Sequence, residues 1–307
     1  MRKLFVDEQI TEVEKHPELE KEKVFREKAL FGRALFFDLR LSSDRSISCA
    51  SCHKPELAFT DGKVKSEGVG GKLSFRNAPT LLNVKHNTSF MFDAHVKSLE
   101  EQAIVPIQDS NEMNLPMGDL VARLNEVPHY VRAARELYHR DLDAWVITRA
   151  LAAFQKTLTS DSSAFDQYLN GERELSSEEK RGWQLFNDLN CIECHSLPHF
   201  TNYQALNNGL YTDYMDDPGK FRIAGDSNMM GAFKVPTLRN ITLTAPYMHD
   251  GSIATLEQVI DHYIKGGAGG MYQDSRIRKR AISEVEKKYL ITFLNALTDT
   301  SYMRDFR

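Results

Sequence analysis

Cysteine is scarce in this chain, four in 307 residues, tryptophan is scarcer at two, and alternating strand-like patterns are few. No apolar run approaches the ~20 residues that cross a bilayer as a helix, and the N-terminal MRKLFVD has no apolar signal core. A transmembrane segment is therefore excluded from the reading. Neither sign of charge dominates: 39 Lys+Arg stand against 43 Asp+Glu, for a net charge of −4 and a pI near 6.2. That balance excludes the strongly basic surface of a nucleic-acid binder. What is present is 41% hydrophobic content, enough for globular cores, in a length that suits one large domain or two medium ones.

Two copies of one pattern use up all four cysteines: Cys49-Ala50-Ser51-Cys52-His53 and Cys191-Ile192-Glu193-Cys194-His195. Cys-x-x-Cys-His is the attachment signature of c-type haem, in which two thioethers fix the porphyrin and the adjacent histidine binds iron. Zinc ribbons place their cysteine pairs roughly 15–20 residues apart, and here well over a hundred (~140) intervene. A thioredoxin-like pair needs a βαβ context that neither motif has. Two covalent haem c groups are expected, with Cys49, Cys52, His53, Cys191, Cys194 and His195 holding them. Thioether attachment takes place outside the cytoplasm, so the mature protein is expected in the periplasm, with its export signal not part of this chain.

An internal duplication organises the sequence. Each haem motif follows a similar lead-in, GRALFFD at 32–38 and GWQLFND at 182–188, both read as helices. Downstream, APTLLNVKHNTSFMFDAHVKSLEE (78–101) aligns without a gap to VPTLRNITLTAPYMHDGSIATLEQ (235–258), a constant offset of 157. The haem motifs lie closer together than that offset, so the second half holds extra residues, which fall in the Gly-, Asn- and Asp-rich stretch 202–231, read as an extended surface loop. Helical spacing over 141–159 and capping boxes at Ser176–Glu179 and Ser283–Glu286 complete the pattern. The expected fold is mainly α: two haem domains, 1–165 and 166–307, related by duplication, with long loops, little strand and a boundary where Ser, Asp and Gly collect at 160–172.

The face of each iron away from the motif histidine decides whether it stores electrons or binds substrate. By the 157 offset, Pro106 is the counterpart of Tyr263. Proline cannot ligate iron and tyrosinate can, which would leave haem one open and haem two capped by a hard oxygen donor. Tyr263, in TLEQVIDHYIK, equally reads as a core aromatic, with His262 as a neighbouring alternative donor. Gln102 and Glu112 flank Pro106. A carboxylate there could move a proton from the near to the far oxygen of a peroxide, with Gln102 orienting the peroxide or a water; as lone polar residues both also read as solvated loop side chains.

These stretches resemble the bacterial dihaem cytochrome c peroxidases, including the MauG-type enzymes. The similarity runs over residues 30–297 and rests on FFDLRLSSDRSISCASCH (36–53), LAFTDG (57–62), RNAPTLLN (76–83), LEEQAIVPI (99–107), NEMN (111–114) and KVPTLRNITLTAPYMHDG (234–251). It implies two class-I-cytochrome-like helical domains, a peroxide-reacting haem in the N-terminal one and an electron-transfer haem in the C-terminal one. It also implies a Ca²⁺ between them, bound by the Asn77 side chain and the Thr244 and Pro246 carbonyls with waters, a hard-oxygen set. Three departures bear on subtype. Peroxidases that need reductive activation carry a distal-blocking histidine after the first motif, and SEGVGGKL (66–73) has none. Peroxidases usually place methionine where this chain has Tyr263, as MauG-type enzymes do. The family's inter-haem tryptophan, in a Phe-Trp-Asp-Gly-Arg run, is replaced in Met91-Phe92-Asp93-Ala94-His95 by Phe92, and the run's arginine by His95.

Three functions follow. The first is a MauG-like oxidase in which hydrogen peroxide oxidises haem one, haem two shares the second equivalent, and a partner protein is oxidised at long range. The second is a conventional peroxidase fed by a small cytochrome c or a cupredoxin. The third is a passive electron carrier, for which an open haem face is wasteful. A homodimer is carried as a candidate assembly. Trp183, Tyr203, Tyr211, Tyr214 and Tyr247 could relay holes but are read as packing elements. His16, His86, His129, His139 and His199 are read as surface or structural, with His249 set apart between the calcium loop and haem two.

Overall fold

The computed structural model describes residues 17–306; His16 lies outside them. The chain is mainly α, with strand limited among the described residues to Ala205–Leu206 paired antiparallel with Phe233–Lys234. Both lead-in helices form, Pro17–Phe36 and Ser177–Asp188, the second started by the Ser176/Glu179 capping box. Each crosses a partner helix, Ala144–Thr157 in the first half and Glu284–Asn295 in the second.

A glycine sets each crossing. A Cβ on Gly32 would lie 1.8 Å from the Ala150 carbonyl oxygen, and one on Gly182 would lie 2.0 Å from that of Tyr289. Backbones this close admit no side chain, so the duplicated lead-in glycine is a packing requirement. Gly182→Ala is expected to destabilise the protein by about 1–3 kcal/mol through overpacking, read as a lower denaturant midpoint at unchanged m-value. An unshifted midpoint would remove the crossing contact.

Two apolar clusters result. The first gathers Leu35, Phe36, Phe59, Ile107 and Ile147. The second gathers Phe165, Phe186, Phe200, Phe293 and Leu297, with Trp183 stacked on Phe186 at 5.8 Å. The C-terminal turn Ser301–Phe306 folds back onto the first cluster: Tyr302 Oη donates to the Pro55 carbonyl at 3.1 Å, and Phe306 meets Phe59 edge-on at 5.3 Å.

Local structure repeats with the sequence offset. Asn83 and Asn240 share left-handed backbone, as do Met91 and Met248, and Ser98 and Thr255 cap the helices that follow. Both asparagines grip the linker at one point: Asn83 exchanges two hydrogen bonds with the Ser160 backbone (2.7 and 3.0 Å), and Asn240 donates to Ser160 Oγ at 2.6 Å. All three are buried, so the two halves meet at a polar clasp that the core encloses.

Segment 202–231 is the largely exposed, irregular loop expected of its composition, pinned to the body of the protein at a few buried points. Asn207 and Tyr214 are buried. The Asn207 side chain supplies the partners a sheet would have supplied: it donates to the Met230 carbonyl at 2.8 Å and accepts from Gly209 N (2.8 Å) and Tyr214 Oη (3.1 Å).

Candidate haem centres

In the first motif a single helical turn, Cys49–Cys52, sets both thiols on one face and leaves His53 at its end. No disulfide pairs them, and burial, then the neighbouring Cys52, pushes the Cys49 thiol up to about 12. Burial likewise pushes Cys191 up to about 11. Neither pair is tuned as a thiolate nucleophile. No cluster of three or more His, Cys, Asp or Glu side chains occurs among the described residues, so the cysteines form no zinc site there.

Both motif histidines are oriented alike. His53 Nδ1 lies 2.9 Å from the Phe59 carbonyl, and His195 Nδ1 lies 3.1 Å from that of Phe200 and 3.2 Å from that of Pro236. A carbonyl can only accept, so Nδ1 carries the proton and the Nε2 lone pair is free for a metal. Burial depresses both imidazoles, His195 to about 4, which keeps them neutral. Phe59 and Phe200 reach these positions with φ of 59° and 53°, conformations costly for a bulky residue. The repeated Pro-Thr-Leu motif braces them: Thr80 Oγ1 donates to the Ala58 carbonyl (2.6 Å) and Thr237 Oγ1 to that of His199 (2.7 Å). The duplicated segment is thus the support of the histidine loop, a role its sequence alone does not announce.

A cavity of about 330 Å³ is lined by Cys191, Cys194, His195, Met248 and Tyr263 from the second half and by residues such as Asn77, Pro79 and Phe92 from the first. Tyr263 sits on helix Leu256–Lys265, and its phenol accepts a 3.5 Å hydrogen bond from Asn208 Nδ2. Burial raises its pKa. His262, one residue earlier, turns off this face, with Nε2 3.0 Å from the Asn208 carbonyl. Asn208 Nδ2 also lies 3.3 Å from Met248 Sδ, which brings a thioether beside the phenol.

In the first half Gln102 and Pro106 lie one turn apart, at the end of Leu99–Gln102 and within Ile104–Gln108. The Pro106 carbonyl accepts from Met113 N at 3.1 Å, which carries the adjacent Glu112 to this helix. Glu112 is close enough to Cys49 and Cys52 for its charge to raise both thiols, and burial, reinforced by Asp109, pushes its own carboxyl up to about 7. The histidine-free 66–73 segment is clamped here: Val69 N donates to the Glu112 carbonyl at 2.8 Å, and a Cβ on Gly68 would lie 2.0 Å from the Asn111 carbonyl oxygen.

A profile of the di-haem cytochrome c peroxidases matches residues 26–174. The chain is 39% identical to methylamine utilization protein MauG of Methylorubrum extorquens, over 88% of this chain and 78% of that protein. It is 34% identical to cytochrome c551 peroxidase of Nitrosomonas europaea, over 88% and 79%. The chain belongs to the di-haem cytochrome c peroxidase/MauG family. The solved structure of a MauG-like protein associated with microbial copper homeostasis superposes with a TM-score of 0.84 at 34% identity, covering 90% of this chain and 91% of that one. The protein is accordingly an oxidoreductase acting on peroxide, of a family whose cofactor is haem c, and the paired cysteines, neutral histidines and cavity described above suit that group. No helix among the described residues is long and apolar enough to cross a membrane.

Where this family commonly has tryptophan, Phe92 lines the same cavity, its carbonyl accepting from Lys234 N at 2.6 Å. His95, in place of the family's arginine, bonds through Nδ1 to Asp93. Asp93 is fully buried between Arg76 (3.0 Å) and Arg222 (2.7 Å). Burial alone would raise this carboxyl, but the His95 and Arg222 hydrogen bonds and the Arg76 charge hold it down to about 2. Sequence reading missed this network, along with Asn208 and the Gly68 clamp, because each joins residues remote in the chain.

Proposed function

We propose that this chain is a MauG-like member of the family: peroxide is reduced at the N-terminal haem, and the electrons are drawn from a partner protein through a tyrosine-ligated C-terminal haem. The observation that carries the reading is the phenol of Tyr263 in one cavity with Cys191, Cys194 and His195. Haem c supplies, when bound, the iron at which the O–O bond breaks and the store for the oxidising equivalents. His53 and His195 would each offer Nε2 to an iron, and Tyr263 would offer its phenolate to the second. Pro106 has no donor to offer, which leaves room for peroxide. Glu112 would accept a proton from one peroxide oxygen and deliver it to the other, and Gln102 would orient the peroxide. The balance is H₂O₂ + 2H⁺ + 2e⁻ giving two waters.

Residues 1–165 and 166–307 would be the two haem domains, with the last turn crossing back onto the first. Asn77 Oδ1 and the Thr244 and Pro246 carbonyls would hold Ca²⁺. Asn77 suits this because its Nδ2 is committed to the Lys63 carbonyl at 2.8 Å, leaving its oxygen as the free donor. The protein would act in the periplasm.

Stoichiometric peroxide added without a donor tests the function. The expected result is an oxidised enzyme that persists and decays only when a donor protein is added. Rapid steady-state oxidation of a reduced cytochrome c or cupredoxin would instead make it a conventional peroxidase, and unchanged haem absorption a passive carrier.

A further inference from the structure

The 202–231 segment and the Tyr263 helix together place three phenols in series. Tyr263 is bonded to Asn208, and Tyr214 donates to the side chain of the preceding residue, Asn207, at 3.1 Å. Tyr214 is 5% exposed, and a Cβ on Gly231 would lie 2.5 Å from its ring, so the ring is held in one position. Its Oη also accepts from Tyr211 N at 3.1 Å, and the Tyr211 and Tyr214 ring centroids are 5.9 Å apart. Tyr211 is 40% exposed. Its phenol donates to Asp250 Oδ2 at 2.5 Å, and Asp250 Oδ1 is held in turn by Ser252 N at 3.1 Å.

A phenol is hard to oxidise while it keeps its proton, because the product would be a cation. A carboxylate already hydrogen-bonded to it removes that penalty by accepting the proton as the electron leaves. Tyr211 has such a partner, whereas Tyr214 is bonded to a neutral amide and Tyr263 belongs to the haem cavity. The series therefore runs from the second haem site, through a buried bridging ring, to the one ring of the three equipped to carry a stable hole at the surface.

We propose that Tyr214 and Tyr211 form a redox relay between the second haem centre and solvent, with Tyr211 the residue oxidised and Asp250 its proton acceptor. Tyr211 gives one electron inward by way of Tyr214 and its phenolic proton to Asp250, leaving a neutral phenoxyl radical beside a carboxylic acid. A donor protein at the surface then returns one electron, and Asp250 returns the proton. Two such cycles supply the two electrons that reduce one hydrogen peroxide. The proposal rests on the function proposed above and reverses the sequence-level reading of these two tyrosines as packing.

Freeze-quenched electron paramagnetic resonance of the peroxide-treated holoenzyme tests it, with ring-deuterated tyrosine to identify the signal. A tyrosyl radical is expected; Tyr211→Phe should abolish it, and Asp250→Asn should slow its appearance, while the peroxide-induced change in haem absorption survives in both. A radical that persists in Tyr211→Phe, or none while the haem absorption changes, would overturn the relay. If peroxide leaves the haem absorption unchanged, the peroxide reading itself has failed. A photogenerated ruthenium(III) oxidant then probes the relay alone: a radical that requires Tyr211 upholds it, and a radical elsewhere or none overturns it.

Discussion

Tyr263→Phe is expected to leave both haems attached while converting the second from a phenolate-ligated to a five-coordinate or water-bound ferric centre. The thioethers and His195 are untouched by the change, so attachment is preserved. What is lost is a hard anionic donor that favours the ferric state. The midpoint potential of haem two should rise by on the order of 0.1 V or more, within the ~0.8 V range that axial ligands command. Folding should change little, since the hydrogen bond lost among the described residues is the long 3.5 Å contact from Asn208. Redox titration followed by electron paramagnetic resonance reads both quantities. An unaltered spectrum and potential would mean that another group ligates, and Met248, which shares Asn208 with the phenol, is then the first to replace.

Glu112→Gln is expected to slow formation of the oxidised enzyme by roughly 10²–10⁴-fold, the range for loss of a positioned acid–base group, with haem content and resting spectra unchanged. The pH profile separates this role from a structural one. Burial, then Asp109, brings the Glu112 carboxyl up to about 7, so the protonated form prevails below that pH and the carboxylate above it. Accepting the peroxide proton requires the carboxylate. The wild-type rate should therefore climb as pH rises through about 7, and the variant should show no such climb. The same raised pKa makes a stability prediction of defined sign. Between the ordinary glutamate value of ~4.3 and about 7 the folded protein retains a proton that the unfolded chain releases, so this residue's contribution weakens as pH rises through that window. A normal rate of peroxide reaction in Glu112→Gln would remove the residue from the mechanism.

The parts of the molecule visible in the sequence are those whose physics is local. Cys-x-x-Cys-His is contiguous because one turn must present two thiols and a histidine to one ring. The capping boxes at Ser176 and Ser283 are contiguous because a cap serves its own helix, and both formed. The duplicated Pro-Thr-Leu segments were visible as a repeat but not as a support, since Thr80 and Thr237 act on carbonyls at Ala58 and His199, which lie far along the chain. The 202–231 segment was legible as a loop, but its anchors were not, for a related reason. Gly, Asn and Asp mark backbone that no regular element satisfies, and composition cannot reveal that a buried Asn207 side chain supplies the missing partners.

Sequence by itself displayed two Cys-x-x-Cys-His loops, their helical lead-ins and the pairing of Pro106 with Tyr263 by the repeat offset, because spacing along one chain suffices to specify each. Tertiary structure decided that Tyr263, and not the adjacent His262, lines the cavity, and it buried the Glu112 already singled out in sequence, bringing its carboxyl up to about 7. Both outcomes depend on burial and on the direction a side chain leaves its helix after packing, quantities that are set by neighbours distant in the chain.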